Sequence, residues 1–228
     1  FQTGLRMPLQ RIAELCHAYG AELAIDAVQA LGAMPIDVRA LGVDYLAAGS
    51  HKWLLGLDGA GVLFARRELA ARLRPGIVGA MSHVDASAIF VGANQLRYDR
   101  PLRSDVRVFE GGMMSSVSLA ALSASLDLLL PLGAANIHAH VNAYLDRLEP
   151  ALTARGFSSL RMADEARRSC ILGLRPPTGV DAATLAGKLL AQGVIGASPD
   201  GVLRFAPHFY NALDEVPKVI AALDAALA

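Results

Sequence analysis

Apolar positions along the chain follow two different periods. Leu9, Ile12, Ala13, Leu15, Cys16 and Tyr19 fall at helical spacing between Pro8, which suits a first turn, and Gly20. Short apolar runs at 22–25, 43–48 and 61–65 have the length of buried strands, and a charged helix is expected at 66–73. Helices alternating with buried strands predict βαβ units and a mostly parallel sheet, with some pairings left open. From 75 to 110 the periodicity fades and Gly, Pro, Asp and Arg become frequent. A loop of that length inside a compact domain is usually functional or interfacial.

Helical spacing returns at 116–130 and 134–155. Beyond it, short strands are expected at 170–174, 193–197 and 202–206, around helices at 181–191 and 213–227. The pattern predicts an α/β protein with a first domain at 1–130 and a small α+β domain at 131–228. No internal repeat or low-complexity tract is visible.

At 228 residues the chain can bury a sizeable core without disulfide or metal staples. Its 21 basic and 21 acidic side chains cancel, which argues against broad binding of nucleic acid or an anionic membrane surface. A hydrophobic content of 54% with 18% charged residues excludes disorder. Cys16 and Cys170 lack a CxxC or Cys/His setting, so a reducing cytoplasm is the expectation, without a metal site. His138 and His140 are two apart on a helix and face different ways. The longest apolar stretch, 118–135, contains Asp127 and Pro131, short of the roughly 20 apolar residues a spanning helix needs. It is expected to be a buried helix. The opening Phe1-Gln2-Thr3-Gly4 shows neither an initiator Met nor a signal pattern, so a segment of a longer chain is expected.

Two polar clusters follow strands, Asp26-Ala27-Val28-Gln29 and Gly49-Ser50-His51-Lys52-Trp53. Ligands of open α/β sheets bind beyond the carboxyl ends of the strands, so these clusters could face one pocket. A lysine there can become a neutral nucleophile and form a Schiff base. A carboxylate beside it suits a protonated ring nitrogen, the pairing that makes pyridoxal phosphate an electron sink. Spacing alone carries little weight, because a lysine after a strand is commonly a solvated loop charge and Asp26 could simply cap a helix.

The residues themselves say more. Ile25-Asp26-Ala27-Val28-Gln29-Ala30-Leu31-Gly32, then Asp44 through Gly56, then Gly59-Ala60-Gly61-Val62-Leu63-Phe64 resemble the class V aminotransferase family. That family includes cysteine desulfurases, isopenicillin N epimerase-like proteins and selenocysteine lyases. The resemblance continues through Arg107-Val108-Phe109-Glu110-Gly111-Gly112 to the stretch Leu203 to Asn211. It implies fold type I, the C-terminal part of the large pyridoxal-phosphate domain (1–130) followed by the small α+β domain (131–228).

By that resemblance Lys52 matches the lysine that forms the Schiff base and shuttles the α-proton. Asp26 matches the acid paired with the pyridine nitrogen, and Gln29 the residue that hydrogen-bonds the phenolic oxygen. His51 and Ser50 match phosphate contacts, and Arg204 the arginine that takes the substrate α-carboxylate, a role suited to a bidentate fork. The bland readings are a structural His51, a turn role for Ser50 and a surface ion pair for Arg204. Trp53 is expected as a packing anchor, and His208 and Tyr210 as domain packing. The family builds its sites at a homodimer interface, with 75–110 the stretch expected to reach across.

Two departures narrow the expected reaction. Many relatives have Gly-Thr where this chain has Gly112-Met113, and methionine cannot donate to a phosphate; Ser115 or Ser116 could compensate. Desulfurases carry a cysteine on the loop before the arginine strand, and 194–203 contains none. By the resemblance, the family's N-terminal portion, which supplies a ring-stacking side chain, is expected to lie outside this sequence. The expected function is an aminotransferase-type reaction on an amino acid through Lys52. The alternatives are a cysteine-independent C–S lyase, an epimerase, or a non-catalytic relative or truncated product.

Overall fold

The computed structural model describes residues 1–97 and 99–228. The chain divides into two compact units, one made of Leu9–Leu31 and Ile36–Leu128, the other of Phe1–Pro8, Gly32–Pro35 and Leu129–Ala228.

The first unit begins with helix α1 (Leu9–Ala18) and holds strands β1 (Ala24–Asp26), β2 (Tyr45–Gly49) and β3 (Gly61–Ala65). β1 runs parallel to β2 with Asp26 opposite Ala47, and β3 returns antiparallel with Gly49 opposite Gly61. Ala27, Val43, Leu46 and Ala48 form the buried centre, with Leu23, Ile25, Leu31, Ile36, Val38, Leu41 and Phe64 against it. The helical crossover expected between β1 and β2 does not form. Two single turns replace it, one closed by Leu31 N–H to Ala27 O and one by Leu41 N–H to Asp37 O, with Gly32 and Pro35 between them. The charged helix expected at 66–73 contracts to α2 (Arg67–Ala70).

One buried charge organises an end of this sheet. Asp44, 1% exposed, accepts from Leu23 N–H, His17 Nε2 and Arg66 Nη1, each at 2.8 Å. It thereby ties α1 to the starts of β1 and β2 and to the end of β3. Burial by itself would raise this carboxyl, but the Leu23 amide, His17 and Arg66 outweigh it and hold the group below 3.8.

The segment after α2 contains short 3-10 turns at Ala80–Ser82, Ala86–Phe90 and Val106–Phe109. It is tied across its base by Val84 N–H to Pro101 O, Arg103 N–H to Ser82 O and Met81 N–H to Gly111 O. A Cβ at Gly79 would collide with the Gly111 carbonyl oxygen, so only glycine allows this approach. Helix α3 (Ser116–Leu132) follows, apolar on all sides. It was expected to be buried, yet Val117 is 70% and Leu130 72% exposed, while Leu122 and Leu129 are covered.

The second unit packs helices α4 (Ala134–Thr153), α5 (Ala182–Leu190) and α6 (Val216–Leu227) with strands β4 (Ser158–Ser159), β5 (Leu172–Arg175) and β6 (Leu203–Phe205). The sheet is antiparallel in the order β4-β5-β6, with Gly173 opposite Arg204. Ile137, Val141, Tyr144, Leu145, Leu148 and Leu152 form the buried stripe of α4, at the spacing of one helix face. Leu172, Leu174, Leu189 and Leu203 are fully buried. The strand expected at 193–197 is reduced to a single bridge from Ala197 to Arg204, since Gly193 takes a left-handed φ of 78°. Among the described residues no single helix is long and apolar enough to cross a membrane.

Candidate active site

The loop that carries Lys52 leaves the carboxyl end of β2 and returns into β3. Ser50 N–H bonds to Ala60 O at 3.0 Å and Gly56 N–H to Ser50 O at 2.8 Å, which closes its neck. The Ser50 hydroxyl is fully buried and points between the Leu57 and Ala60 carbonyl oxygens, at 2.6 and 3.0 Å. A Cβ at Gly56 would lie 2.7 Å from the Ser50 Cβ, so the peg fits only against glycine. In this chain the one hydroxyl hydrogen of Ser50 is thus committed to main-chain carbonyls of its own loop.

Burial alternates sharply along this loop. Ser50, Trp53 and Leu54 are buried, and His51 and Lys52 between them are exposed. Trp53 and Leu54 act as anchors that turn Lys52 outward at the strand's carboxyl end. Lys52 itself is exposed in this chain. His51 Nδ1 lies 3.5 Å from Asp58 Oδ1, an exposed pair of little energetic weight.

On the neighbouring strand, Asp26 is the last residue of β1 and is exposed. Its Oδ1 accepts from Val28 N–H at 2.9 Å, an Asx turn that fixes the carboxylate. Its second oxygen has no hydrogen-bond partner among the described residues. Gln29 follows on the turn after β1, and its Oε1 accepts from Trp53 Nε1 at 3.3 Å. The sequence presented Trp53 only as a packing anchor. A buried indole N–H needs an acceptor, and that requirement was the one sign of its second role. Asp26, Gln29, His51 and Lys52 thus come from adjacent parallel strand ends of one unit.

Arg204 lies on β6 of the other unit. Leu203 and Phe205 on either side are buried in the core, so strand alternation turns Arg204 to the opposite face. Its Nε donates to Phe1 O at 2.8 Å and its guanidinium lies 4.9 Å from the Phe1 ring centroid. Burial lowers its pKa. No carboxylate pairs with it among the described residues, and its two terminal nitrogens carry no hydrogen bond there. His208 stacks on Tyr210 with ring centroids 5.3 Å apart and accepts from Phe209 N–H, which makes the pair part of that turn.

Near Met113, which is exposed, Ser115 Oγ accepts from Ser118 N–H at 3.3 Å. Ser118 Oγ in turn donates to Asp58 O at 2.7 Å. Ser115 Oγ is thus engaged as an acceptor at the start of α3, and the Ser116 hydroxyl has no hydrogen-bond partner among the described residues. Cys170 is buried, donates to Ala33 O, and burial pushes its thiol up to about 12, so it is not a nucleophile. No group of three or more His, Cys, Asp or Glu is placed to hold a metal among the described residues.

The donor set fits pyridoxal phosphate. Among the described residues it offers a primary amine, a carboxylate with one oxygen unengaged, and an amide whose nitrogen has no hydrogen-bond partner. The "Aminotransferase class-V" family model matches residues 2–199. The chain is 33% identical to "Uncharacterized aminotransferase YcbU" of Bacillus subtilis over 96% of its own length and 55% of that protein's. It is 28% identical to "Isopenicillin N epimerase" of Amycolatopsis lactamdurans, over 97% of this chain and 56% of that one. Its fold matches the cysteine desulfurase CsdA of Escherichia coli with a TM-score of 0.85 at 24% identity, over 99% of this chain and 56% of that one. The chain therefore spans about half the length of the relatives it matches. It has the α/β fold of the fold type I enzymes, and it belongs to the class V aminotransferase family.

Proposed function

We propose that the protein to which this chain belongs is a pyridoxal-phosphate enzyme that acts on an amino acid, with aminotransferase-type chemistry. The observation that carries the reading is the pairing of β1 with β2. It sets Asp26 opposite Ala47, and the anchored loop that presents Lys52 begins just beyond that pair. When bound, pyridoxal phosphate supplies an aldehyde for an amine and a ring that accepts an electron pair. Lys52 Nζ holds the aldehyde carbon and moves the proton at the substrate α-carbon. Asp26 holds the proton on the ring nitrogen, and its Asx turn keeps the carboxylate from rotating away. Gln29 donates to the phenolic oxygen, and His51 contributes to the phosphate. Arg204 binds the substrate carboxylate through its terminal nitrogens, while its Nε is held by Phe1 O.

The lack of a cysteine at 194–203 and the inert Cys170 speak against desulfuration through a cysteine nucleophile. Elimination and epimerisation begin with the same proton transfer, and product analysis separates them from transamination. Assembly as a homodimer is part of the proposal. Ile77, Phe90 and Leu96, all in the stretch expected to reach across, are more than two-thirds exposed.

The test is borohydride reduction of the yellow full-length protein, followed by peptide mapping. A reduced pyridoxyl group on Lys52 is expected, and Lys52→Ala is expected to lose at least about a thousandfold in turnover. A full-length protein that stays colourless with added pyridoxal phosphate would overturn the reading.

A further inference from the structure

The two ends of a glutamine amide have the same shape and opposite chemistry. One end accepts hydrogen bonds and the other donates them, and a half-turn exchanges them unless a neighbour distinguishes the two. A residue that must donate to one particular ligand atom therefore needs something to hold it the right way round. Gln29 has such a neighbour. The indole nitrogen of Trp53 is a donor only, and it lies 3.3 Å from Gln29 Oε1. Reversing the amide would set N–H against N–H.

We infer that Trp53 is a positioning residue that fixes the Gln29 amide with its NH2 group turned away from the indole, as a donor to an anionic oxygen on the bound ring. This rests on the proposed function and deepens it. Trp53 is 5% exposed, so its indole is held by the surrounding packing. The Gln29 side chain is half-buried, and its nitrogen has no partner among the described residues. The ligand class follows from the orientation. A fixed donor favours a phenolate-type oxygen and disfavours a neutral hydroxyl that would itself donate.

The same bond has a mechanical side. Trp53 directly follows Lys52, and Gln29 sits three residues beyond Asp26. One hydrogen bond thus joins the turn that carries the acid to the loop that carries the amine. The aromatic body of Trp53 anchors Lys52, and its N–H orients Gln29.

The experiment uses the full-length protein loaded with pyridoxal phosphate and reads the pH midpoint of the bound cofactor's visible absorption change. A donor to the phenolic oxygen withdraws charge from it and lowers that midpoint. Gln29→Ala is expected to raise it by about one pH unit, the scale of a hydrogen bond to a charged group. Trp53→Phe keeps the bulk and removes only the N–H, so it is expected to raise the midpoint in the same direction. The double variant is expected to match Gln29→Ala alone, because the indole acts through the amide. A midpoint that moves with Gln29→Ala but not with Trp53→Phe overturns the inference and leaves the function standing. Shifts that add in the double variant also overturn it. A protein that takes up no cofactor overturns both.

Discussion

Asp26 and Asp44 flank two paired strands of one sheet and have opposite fates. Asp44 precedes β2, is 1% exposed and is surrounded by the Leu23 amide, His17 and Arg66. Asp26 closes β1 at the other end, faces solvent and uses one oxygen on Val28 N–H. The sheet therefore has one end where polar groups satisfy one another and one end where they are left to meet a ligand. A buried carboxylate with both oxygens engaged contributes to the fold and is closed to a ligand. One held in place by a single main-chain bond is oriented and still available. Gln29 and Ser50 repeat the contrast at shorter range, since among the described residues the amide nitrogen of the first has no partner and the hydroxyl of the second is engaged.

The comparison breaks most readily by substitution. Asp44→Ala strips the Leu23 amide, His17 and Arg66 of their shared acceptor and is expected to cost about 3 kcal/mol in denaturant unfolding. Asp26→Ala loses one exposed turn bond and is expected to cost no more than about 1 kcal/mol, while impairing cofactor chemistry. Equal losses would remove the distinction between the two ends. Acid sharpens it. Because Asp44 is held below 3.8 in the folded chain, its contribution is complete above that value. It is lost as pH falls from there through the lowered folded value. The stability gap between the parent and Asp44→Ala is thus expected to close on acidification below 3.8. The smallest effect concerns the thiols. Native alkylation at neutral pH is expected to modify half-buried Cys16 and to spare Cys170, whose thiol is held at about 12, as read by mass spectrometry.

Much of this contrast was legible in the residues. The run 61–65 is β3 to the residue, because an apolar pentapeptide between glycine-rich and charged segments admits few alternatives. The α4 stripe was visible in its period. The βαβ reading expected a helix between β1 and β2 that does not form, since Gly32 and Pro35 interrupt the segment and the local turns at Asp37 satisfy the backbone instead. Strand 193–197 failed for a similar local reason at Gly193. At the site, motif residues revealed which side chains gather at the strand ends, but not which are already engaged. Ser50 looked equally suited to a turn or a phosphate, and only the folded positions of Leu57 and Ala60 reveal that its hydroxyl is engaged within the loop. The bond between Trp53 and Gln29 spans 24 residues, and no periodicity reports a contact of that kind.

The segment tied at Gly79 and Gly111 differs in kind from the loop that carries Lys52. Its base is clamped by main-chain bonds at Met81, Val84 and Arg103, while its far part lies between those ties. Once a loop's ends are clamped, doubling its length adds only about 0.6 kcal/mol of closure entropy. Insertions at its tip are therefore tolerated without disturbing the clamp. The lysine loop has no such latitude, since one added residue would displace Ser50, Trp53 or both. Within a single unit, evolution can thus rewrite one loop while the other stays fixed.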